Sequence, residues 1–151
     1  MIIEPCQSIK DEVLLTENVN ILLLSNGISG KLLLLIVTLF LDVCGCVLVK
    51  TALNIRLSES GSELVSILEL PGDVLIVPQA TIGGRVKGRS MQYHGNIDKE
   101  TGSQLYEEFV GRCREVVRQT REQCQVHCGT YGNRQVLSMV TNGPFSHVID
   151  I

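Results

Sequence analysis

Aromatic side chains are scarce in this chain. They make up 4% of the 151 residues and tryptophan is absent, whereas hydrophobic residues reach 44%. The core must therefore be built mainly from leucine, valine and isoleucine, in one domain of ordinary size. Neither sign of charge is in large excess, since 13 basic residues stand against 16 acidic ones. This balance excludes a strongly basic nucleic-acid-binding protein, so any basic site must be local.

Signatures of common catalytic sites are also missing. The chain has no nucleophile elbow for Ser-His-Asp chemistry, no phosphate-binding P-loop and no dinucleotide-binding fingerprint. Cys124 and Cys128 flank His127, but no further metal ligand follows at a regular spacing. We therefore expect neither a metal nor a cofactor. The acidic amino-terminal residues lack the basic start of a secretion signal, so we expect reduced thiols and a cytoplasmic location.

A long apolar run covers residues 32–49 and allows two interpretations. Its length is near the lower limit of a membrane span, which needs ~17–25 residues. Asp42 lies inside the run, and a central aspartate costs roughly 2.5–3.5 kcal/mol on insertion. We favour a buried strand over 32–39 followed by the start of a helix, with a membrane span or anchor as the alternative.

One short stretch combines a buried strand with polar groups. Val74 to Val77 are all aliphatic, which predicts a strand that is covered on both faces. Pro78 has no backbone donor, so the strand should end there. Gln79 and Thr81 follow, and polar groups at the end of a rigid strand are well placed to bind a ligand.

Other patterns predict the elements around this strand. Residues 64–70 alternate, and they should form an antiparallel hairpin with 74–77 across a tight turn. Residues 101–121 have helical spacing. Further strands are predicted over 125–128, 135–140 and 145–151. The order of strands, helix and strands indicates an α+β domain with mostly antiparallel sheets.

Residues 82–89 contain three glycines together with Arg85, Lys87 and Arg89. Such a segment is either a solvated loop or a loop that contacts phosphates, because glycine lets the backbone approach a ligand closely and cations pair with phosphate. From spacing alone, the chain is a small α+β domain with a polar loop.

Five motifs occur in one order along the chain. They are Pro78-Gln-Ala-Thr81, Lys87-Gly-Arg89, Leu105-Tyr-Glu-Glu-Phe109, Gly129-Thr-Tyr-Gly-Asn-Arg-Gln-Val136 and Thr141-Asn-Gly-Pro144. In order and spacing they resemble the D-aminoacyl-tRNA deacylase family, and the Pro-Gln-Ala-Thr form resembles its animal-type member. The resemblance covers about residues 47–151, which we expect to form a deacylase-like domain after an atypical region at 1–46.

The resemblance implies a fold, an assembly and a reaction. The fold is two curved, mostly antiparallel sheets in a barrel-like arrangement with flanking helices, built as a homodimer. The reaction is hydrolysis of the ester that joins an amino acid to the 3′ end of tRNA. The substrates implied are D-aminoacyl-tRNA and, for the animal-type member, L-alanine wrongly attached to threonine tRNA.

The resemblance also assigns roles to residues. Gln79, Ala80 and Thr81 would line the catalytic pocket, where backbone N–H groups stabilise the developing oxyanion while the RNA's own 2′-hydroxyl and a water replace a protein base. Gly143-Pro144 matches the chirality motif, which reaches into the partner subunit's pocket. The tRNA contacts would come from Arg85, Lys87, Arg89 and Asn142.

Residues 1–46 do not match the family's opening strands or the residue that braces its Gly-Pro loop. Two alternatives to the enzyme therefore stay open. One is an inactive or membrane-anchored variant that binds tRNA without catalysis, and the other is a plain tRNA-binding module.

Overall fold

The computed structural model describes residues 20–27, 30–38, 45–70, 72–120 and 122–138. Its elements, in chain order, are β1 (Asn20–Gly27), β2 (Gly30–Thr38), α1 (Gly45–Asn54), β3 (Ser58–Ser60), β4 (Glu63–Val65), β5 (Asp73–Pro78), a 3₁₀ turn (Ala80–Gly83), β6 (Arg85–Lys87), β7 (Ser90–Gln92), α2 (Lys99–Thr120) and β8 (Val126–Cys128).

Strand β5 lies inside a four-stranded sheet with the order β1-β2-β5-β8. It pairs in parallel with β2, where Leu34 is opposite Leu75, and in parallel with β8, where Leu75 is opposite His127. Val74 and Ile76 are 0% exposed. Parallel neighbours need long crossover connections, and helices α1 and α2 lie in the two crossovers. The predicted central strand that ends at Pro78 is therefore confirmed.

The predicted hairpin between residues 64–70 and 74–77 is wrong. Strand β4 ends at Val65 and pairs with β3 instead. The chain then closes a turn, because Ser66 N–H donates to the Glu69 carboxylate (2.7 Å) and the N–H groups of Glu69 and Leu70 both donate to the Ser66 carbonyl (3.1 Å each). This local turn takes up the backbone groups that a longer strand would have needed for pairing.

The α+β class is confirmed, but the main sheet is mixed rather than mostly antiparallel. Pairs β1-β2, β3-β4 and β6-β7 are antiparallel, while both partners of β5 are parallel to it. The strand predicted at 135–140 is not formed over residues 135–138, and residues 139–140 lie outside the described part of the chain. The predicted strand at 145–151 lies outside the described residues. The barrel-like curvature and the division at residue 46 stay predictions.

The apolar run at 32–49 divides into a strand and a helix, as favoured from the sequence. Strand β2 covers Gly30–Thr38 and α1 begins at Gly45. Strand β1, which the sequence did not predict, pairs antiparallel with β2 and brings two amino-terminal strands to the sheet. Neither helix in the described part of the chain has the length and apolar character that a membrane crossing requires.

The core lies between the sheet and the two helices. Helix α2, predicted at 101–121, is observed at Lys99–Thr120 and buries one face. Burial raises the pKa of the Cys113 thiol on that face to about 12, so it stays protonated. The buried members of the core are Leu48, Val49, Ala52, Leu53, Ile67, Val74, Ile76, Tyr106, Phe109, Val110, Cys113 and Val117.

The hydroxyl of Tyr106 ties α2 to the sheet. It lies 3.0 Å from the carbonyl oxygen of Ile76 in β5 and 2.9 Å from that of Gly129, just after β8, so its single proton serves two acceptors. Gly129 N–H also donates to the Ile76 carbonyl (2.8 Å). Burial, and then the charge of Cys128, raise the pKa of Tyr106, because the site disfavours a phenolate.

Tyr106→Phe should lower the free energy of unfolding by roughly 1–2 kcal/mol near neutral pH, because a buried carbonyl loses its hydroxyl donor. The folded pKa lies above the unfolded value, so this contribution is complete below about pH 10 and is lost as the pH rises through the folded pKa. Urea unfolding should show that the difference in free energy of unfolding between the unmodified protein and Tyr106→Phe is smaller at alkaline pH than at neutral pH. Tyr93 is exposed, so Tyr93→Phe provides the control. If both variants lost the same free energy of unfolding at neutral pH, the stabilising role of the Tyr106 hydroxyl would be contradicted.

Candidate functional site

The site begins where β5 leaves the sheet. Gln79 is extended, with φ −143°, and the 3₁₀ turn follows at once. Ile82 N–H donates to the Gln79 carbonyl (3.4 Å) and Gly84 N–H to the Thr81 carbonyl (3.1 Å). The N–H groups of Ala80 and Thr81 open this turn and have no acceptor within it.

A cavity of about 330 Å³ opens beside this turn. A volume in this range is typical of small-molecule sites. Three segments line it, namely the end of β5, the approach to α2 and the turn after β8. The lining residues are Pro78, Gln79, Ala80, Asn96, Ile97, Lys99, Tyr131, Gly132, Asn133 and Arg134.

Asn96 connects the first two segments. Its Nδ2 donates to the Ala80 carbonyl (2.9 Å), while its backbone N–H donates to the Tyr93 carbonyl (3.0 Å). The Oδ1 atom of Asn96 is buried, and no described residue donates to it. The amide therefore holds the Ala80 peptide in place at the cavity wall.

The turn after β8 docks on the start of α2 through two glycines. A Cβ on Gly102 would collide with the Tyr131 hydroxyl and come within 2.9 Å of Ile97 Cγ2, so Tyr131 rests directly on the helix backbone. Gly132 has φ +77°, and a Cβ there would lie 2.9 Å from Cε of Lys99. The Tyr131 ring also packs on Tyr106, with 5.8 Å between the ring centroids.

Asp98 caps α2 beside the cavity. Its Oδ1 accepts the N–H groups of Thr101 (2.9 Å) and Glu100 (3.1 Å). These bonds, that to Thr101 first, lower the pKa of Asp98. Burial, and then the Asp98 carboxylate, raise the pKa of Tyr131, so its hydroxyl stays protonated.

The structure brings together only part of the predicted site. Gln79 and Ala80 line the cavity, whereas Thr81 is exposed in the 3₁₀ turn and lies outside the lining. Asn142, Gly143 and Pro144 lie outside the described residues.

The predicted basic loop at 82–89 is largely a β-hairpin. Arg85 and Lys87 lie on β6, and Arg89 lies in the turn to β7, where Gly88 has φ +62°. All three cations are exposed, and none lines the cavity.

Sequence reasoning missed five polar residues of the lining, namely Asn96, Lys99, Tyr131, Asn133 and Arg134. Tyr131 and Arg134 belong to the motif at 129–136, so that motif was the available signal. Nothing in the spacing of Asn96 or Lys99 indicated their proximity to it. Within the described ranges, no cluster of His, Cys, Asp and Glu could hold a metal ion.

The lining combines amide, hydroxyl and cationic groups, and the described residues contribute no carboxylate or imidazole to it. Such a surface can bind a polar or anionic ligand and can stabilise negative charge through N–H donors.

Comparison with known proteins gives a consistent result. Residues 45–150 match the family described as D-Tyr-tRNA(Tyr) deacylase. A D-aminoacyl-tRNA deacylase 2 of Homo sapiens is 53% identical over 108 residues, which are 68% of this chain and 64% of that protein. The chain thus spans slightly less than two thirds of this relative's length.

Two solved structures have a similar fold. A probable eukaryotic D-amino acid tRNA deacylase has a TM-score of 0.65 and 26% identity, covering 89% of this chain and 96% of that one. A c-Myc DNA unwinding element binding protein has a TM-score of 0.66 at 17% identity, over 89% of this chain and 95% of its own, and supports the fold alone.

Gly102→Ala should disturb the cavity wall, because the added methyl occupies the position of the Tyr131 hydroxyl. Replacing a helical glycine by alanine normally stabilises by about 1 kcal/mol. Gly111→Ala on the same helix meets no atom within 4 Å and should show that gain, while Gly102→Ala should be net destabilising. Chemical denaturation measures both, and equal stabilisation by the two variants would disprove the docking of Tyr131 on α2.

Proposed function

The chain belongs to the D-Tyr-tRNA(Tyr) deacylase family, and from this premise we propose that it hydrolyses the ester between a wrongly attached amino acid and the 3′ end of tRNA. The observation that carries the proposal is the cavity at the end of β5. Gln79 and Ala80, from the motif that resembles the family's catalytic segment, line it together with residues of the motif at 129–136. Two separate family motifs thus contribute to one wall.

The reaction requires stabilisation of an oxyanion. Water adds to the ester carbonyl, the carbonyl oxygen becomes negative, and the C–O bond to the ribose breaks as the 3′-oxygen takes up a proton. The backbone N–H groups of Ala80, in the cavity lining, and of Thr81, directly beside it, would bind that oxygen, because neither has an acceptor within the turn. They act without a change of charge on the protein.

The composition of the lining supports a reaction assisted by the RNA. A protein base would be an imidazole or carboxylate close to the water, and the described lining has neither. The 2′-hydroxyl of the terminal ribose lies next to the ester and can orient the water. Gln79 and the N–H groups then hold the substrate while the nucleic acid contributes to the chemistry.

Stereochemical selection belongs to the Gly143-Pro144 motif in this proposal. The motif reaches from one protomer of a homodimer into its partner's pocket. A trans Gly-Pro peptide leaves room for a small L side chain, so the substrates are D-aminoacyl-tRNA and L-alanine wrongly attached to threonine tRNA. Cytoplasmic translation is where such a proofreader would act.

The β6–β7 hairpin is proposed to bind the acceptor end of the tRNA. It exposes Arg85, Lys87 and Arg89, and Asn142 is the fourth proposed contact. Cations on an exposed hairpin can follow a phosphate backbone without reading its sequence. Binding through this surface should therefore depend strongly on salt.

The first test is release of the amino acid from D-tyrosyl-tRNA and from L-alanyl-tRNA of threonine. The purified chain should release both, and Gln79→Ala should slow release about ten-fold or more, because one lost hydrogen bond to a reacting group costs roughly 1.5–3 kcal/mol. Gln104→Ala provides the control, since Gln104 is exposed on α2. If the folded chain releases no more than a blank without enzyme, the hydrolase proposal fails and a tRNA-binding role replaces it.

The second test concerns the hairpin. Lys87→Gln/Arg89→Gln should weaken tRNA binding and reduce the slope of log affinity against log salt by about 0.7 for each cation that is lost. Lys50→Gln/Arg118→Gln removes the same charge from exposed positions on the two helices and should leave the slope unchanged. Filter binding over a range of salt concentrations measures the slopes of both variants. If the slope of Lys87→Gln/Arg89→Gln equalled that of the control variant, the hairpin would not contact the tRNA.

A further inference from the structure

Two cations of the cavity, Lys99 and Arg134, have no part in the proposed hydrolysis. Both line the same cavity as Gln79 and Ala80. Neither forms an ion pair with any residue in the described part of the chain. No aspartate or glutamate is among the described residues of the lining. The two cations on this wall of the cavity are therefore not ion-paired within the described part of the chain.

The fold holds Lys99 against the turn after β8. Lys99 is the first residue of α2, and its side chain passes over the Cα atom of Gly132. A Cβ at Gly132 would lie 2.9 Å from Cε and 3.5 Å from Nζ of Lys99. The missing side chain at Gly132, together with its positive φ, makes room for the lysine at the cavity.

Arg134 is carried by a turn with its own internal bonds. The Gln135 side chain binds Thr130 twice, since its Oε1 accepts the Thr130 N–H (2.9 Å) and its Nε2 donates to the Thr130 carbonyl (3.2 Å). Asn133 N–H also donates to the Thr130 carbonyl (3.3 Å). These bonds fix the backbone on both sides of Arg134, so the guanidinium extends from an ordered turn.

Two carboxylates, Asp98 and Glu100, are next to Lys99 in the sequence, but neither forms an ion pair with Lys99 or Arg134, and Glu100 is not among the lining residues. Asp98 precedes Lys99, but its Oδ1 is used by two N–H groups of the first turn of α2. It is outside the cavity lining. Lys99 and Arg134 are thus available to an anionic ligand.

We propose that Lys99 and Arg134 bind the phosphate on the 5′-oxygen of the terminal adenosine, whose 3′-oxygen carries the amino acid. The inference rests on the proposed function, because it places a nucleoside at Gln79 and Ala80. A phosphate has several acceptor oxygens, which suit a planar guanidinium and an ammonium that approach from two segments. Gripping the phosphate fixes the nucleotide at one end while the ester lies against the N–H groups at the other.

The test compares two small ligands that undergo no hydrolysis, 5′-AMP and adenosine. The chain should bind 5′-AMP about ten-fold or more tightly than adenosine at low salt, since a charged hydrogen bond is worth roughly one decade of affinity. Lys99→Gln/Arg134→Gln should abolish this preference and leave adenosine binding unchanged. Both side chains are exposed, so the substitutions should not affect folding. Lys50→Gln/Arg118→Gln, with the same loss of charge, should keep the preference.

The outcomes separate this inference from the proposed function. Equal binding of the two ligands by the unmodified chain, or a preference that survives in Lys99→Gln/Arg134→Gln, overturns the phosphate site even if the ester is hydrolysed. Binding of free D-alanine that depends on the two cations, without a preference for 5′-AMP, would assign them to the carboxylate of the product and overturn it as well. A preference for 5′-AMP without ester hydrolysis would support the phosphate site and contradict only the proposed hydrolase function.

Discussion

The hydroxyl of Tyr106 is the contact on which the arrangement of the site depends. It reaches from helix α2 to the carbonyl of Ile76 in the central strand and to that of Gly129 after β8. Both carbonyls belong to segments that continue into the cavity wall. A buried hydroxyl must find an acceptor, and these two acceptors fix the height of the helix over the sheet. The hydroxyl of Tyr106 therefore joins α2 to the end of β5 and to the turn after β8.

Close packing of backbone on side chain completes what this hydrogen bond begins. Tyr131 rests on Gly102, and Lys99 crosses Gly132, so each of the two segments supplies a glycine to the other. A side chain at either glycine would separate the helix from the turn. The cavity exists because these two small residues let its walls approach at one edge, while Asn96 holds the Ala80 peptide at another.

Charge in this protein is arranged locally rather than globally. The net charge is −3, yet both charged side chains among the described lining residues of the cavity are positive and the β6–β7 hairpin exposes three more cations. Asp98 lies beside the cavity, where its Oδ1 accepts two N–H groups at the start of α2. A polyanion can therefore meet two separate basic surfaces on a protein whose overall charge would repel it weakly.

Local signals explain which parts of the fold were predictable. The unbroken aliphatic run of β5, its end at Pro78 and the helical spacing of α2 depend only on neighbouring residues, and all three were predicted. The hairpin from residues 64–70 was not formed, because the Ser66–Glu69 turn uses backbone groups that alternation alone assigns to a strand. The glycines at 82–89 suggested a loop, whereas Gly88 provides the positive φ of a hairpin turn.

By itself, the sequence determined the buried strand, the long helix and the order of motifs that indicates the family. Hydrophobic periodicity shows that one face of a strand or helix is buried, and the order of motifs indicates the family. Neither shows which element packs against the buried face. Only the tertiary structure decided that β5 pairs in parallel with β2 and β8, and that Lys99 and Arg134 reach the cavity of Gln79 and Ala80. Such contacts join segments that are far apart in the chain, so they depend on the packing of whole elements rather than on any local pattern.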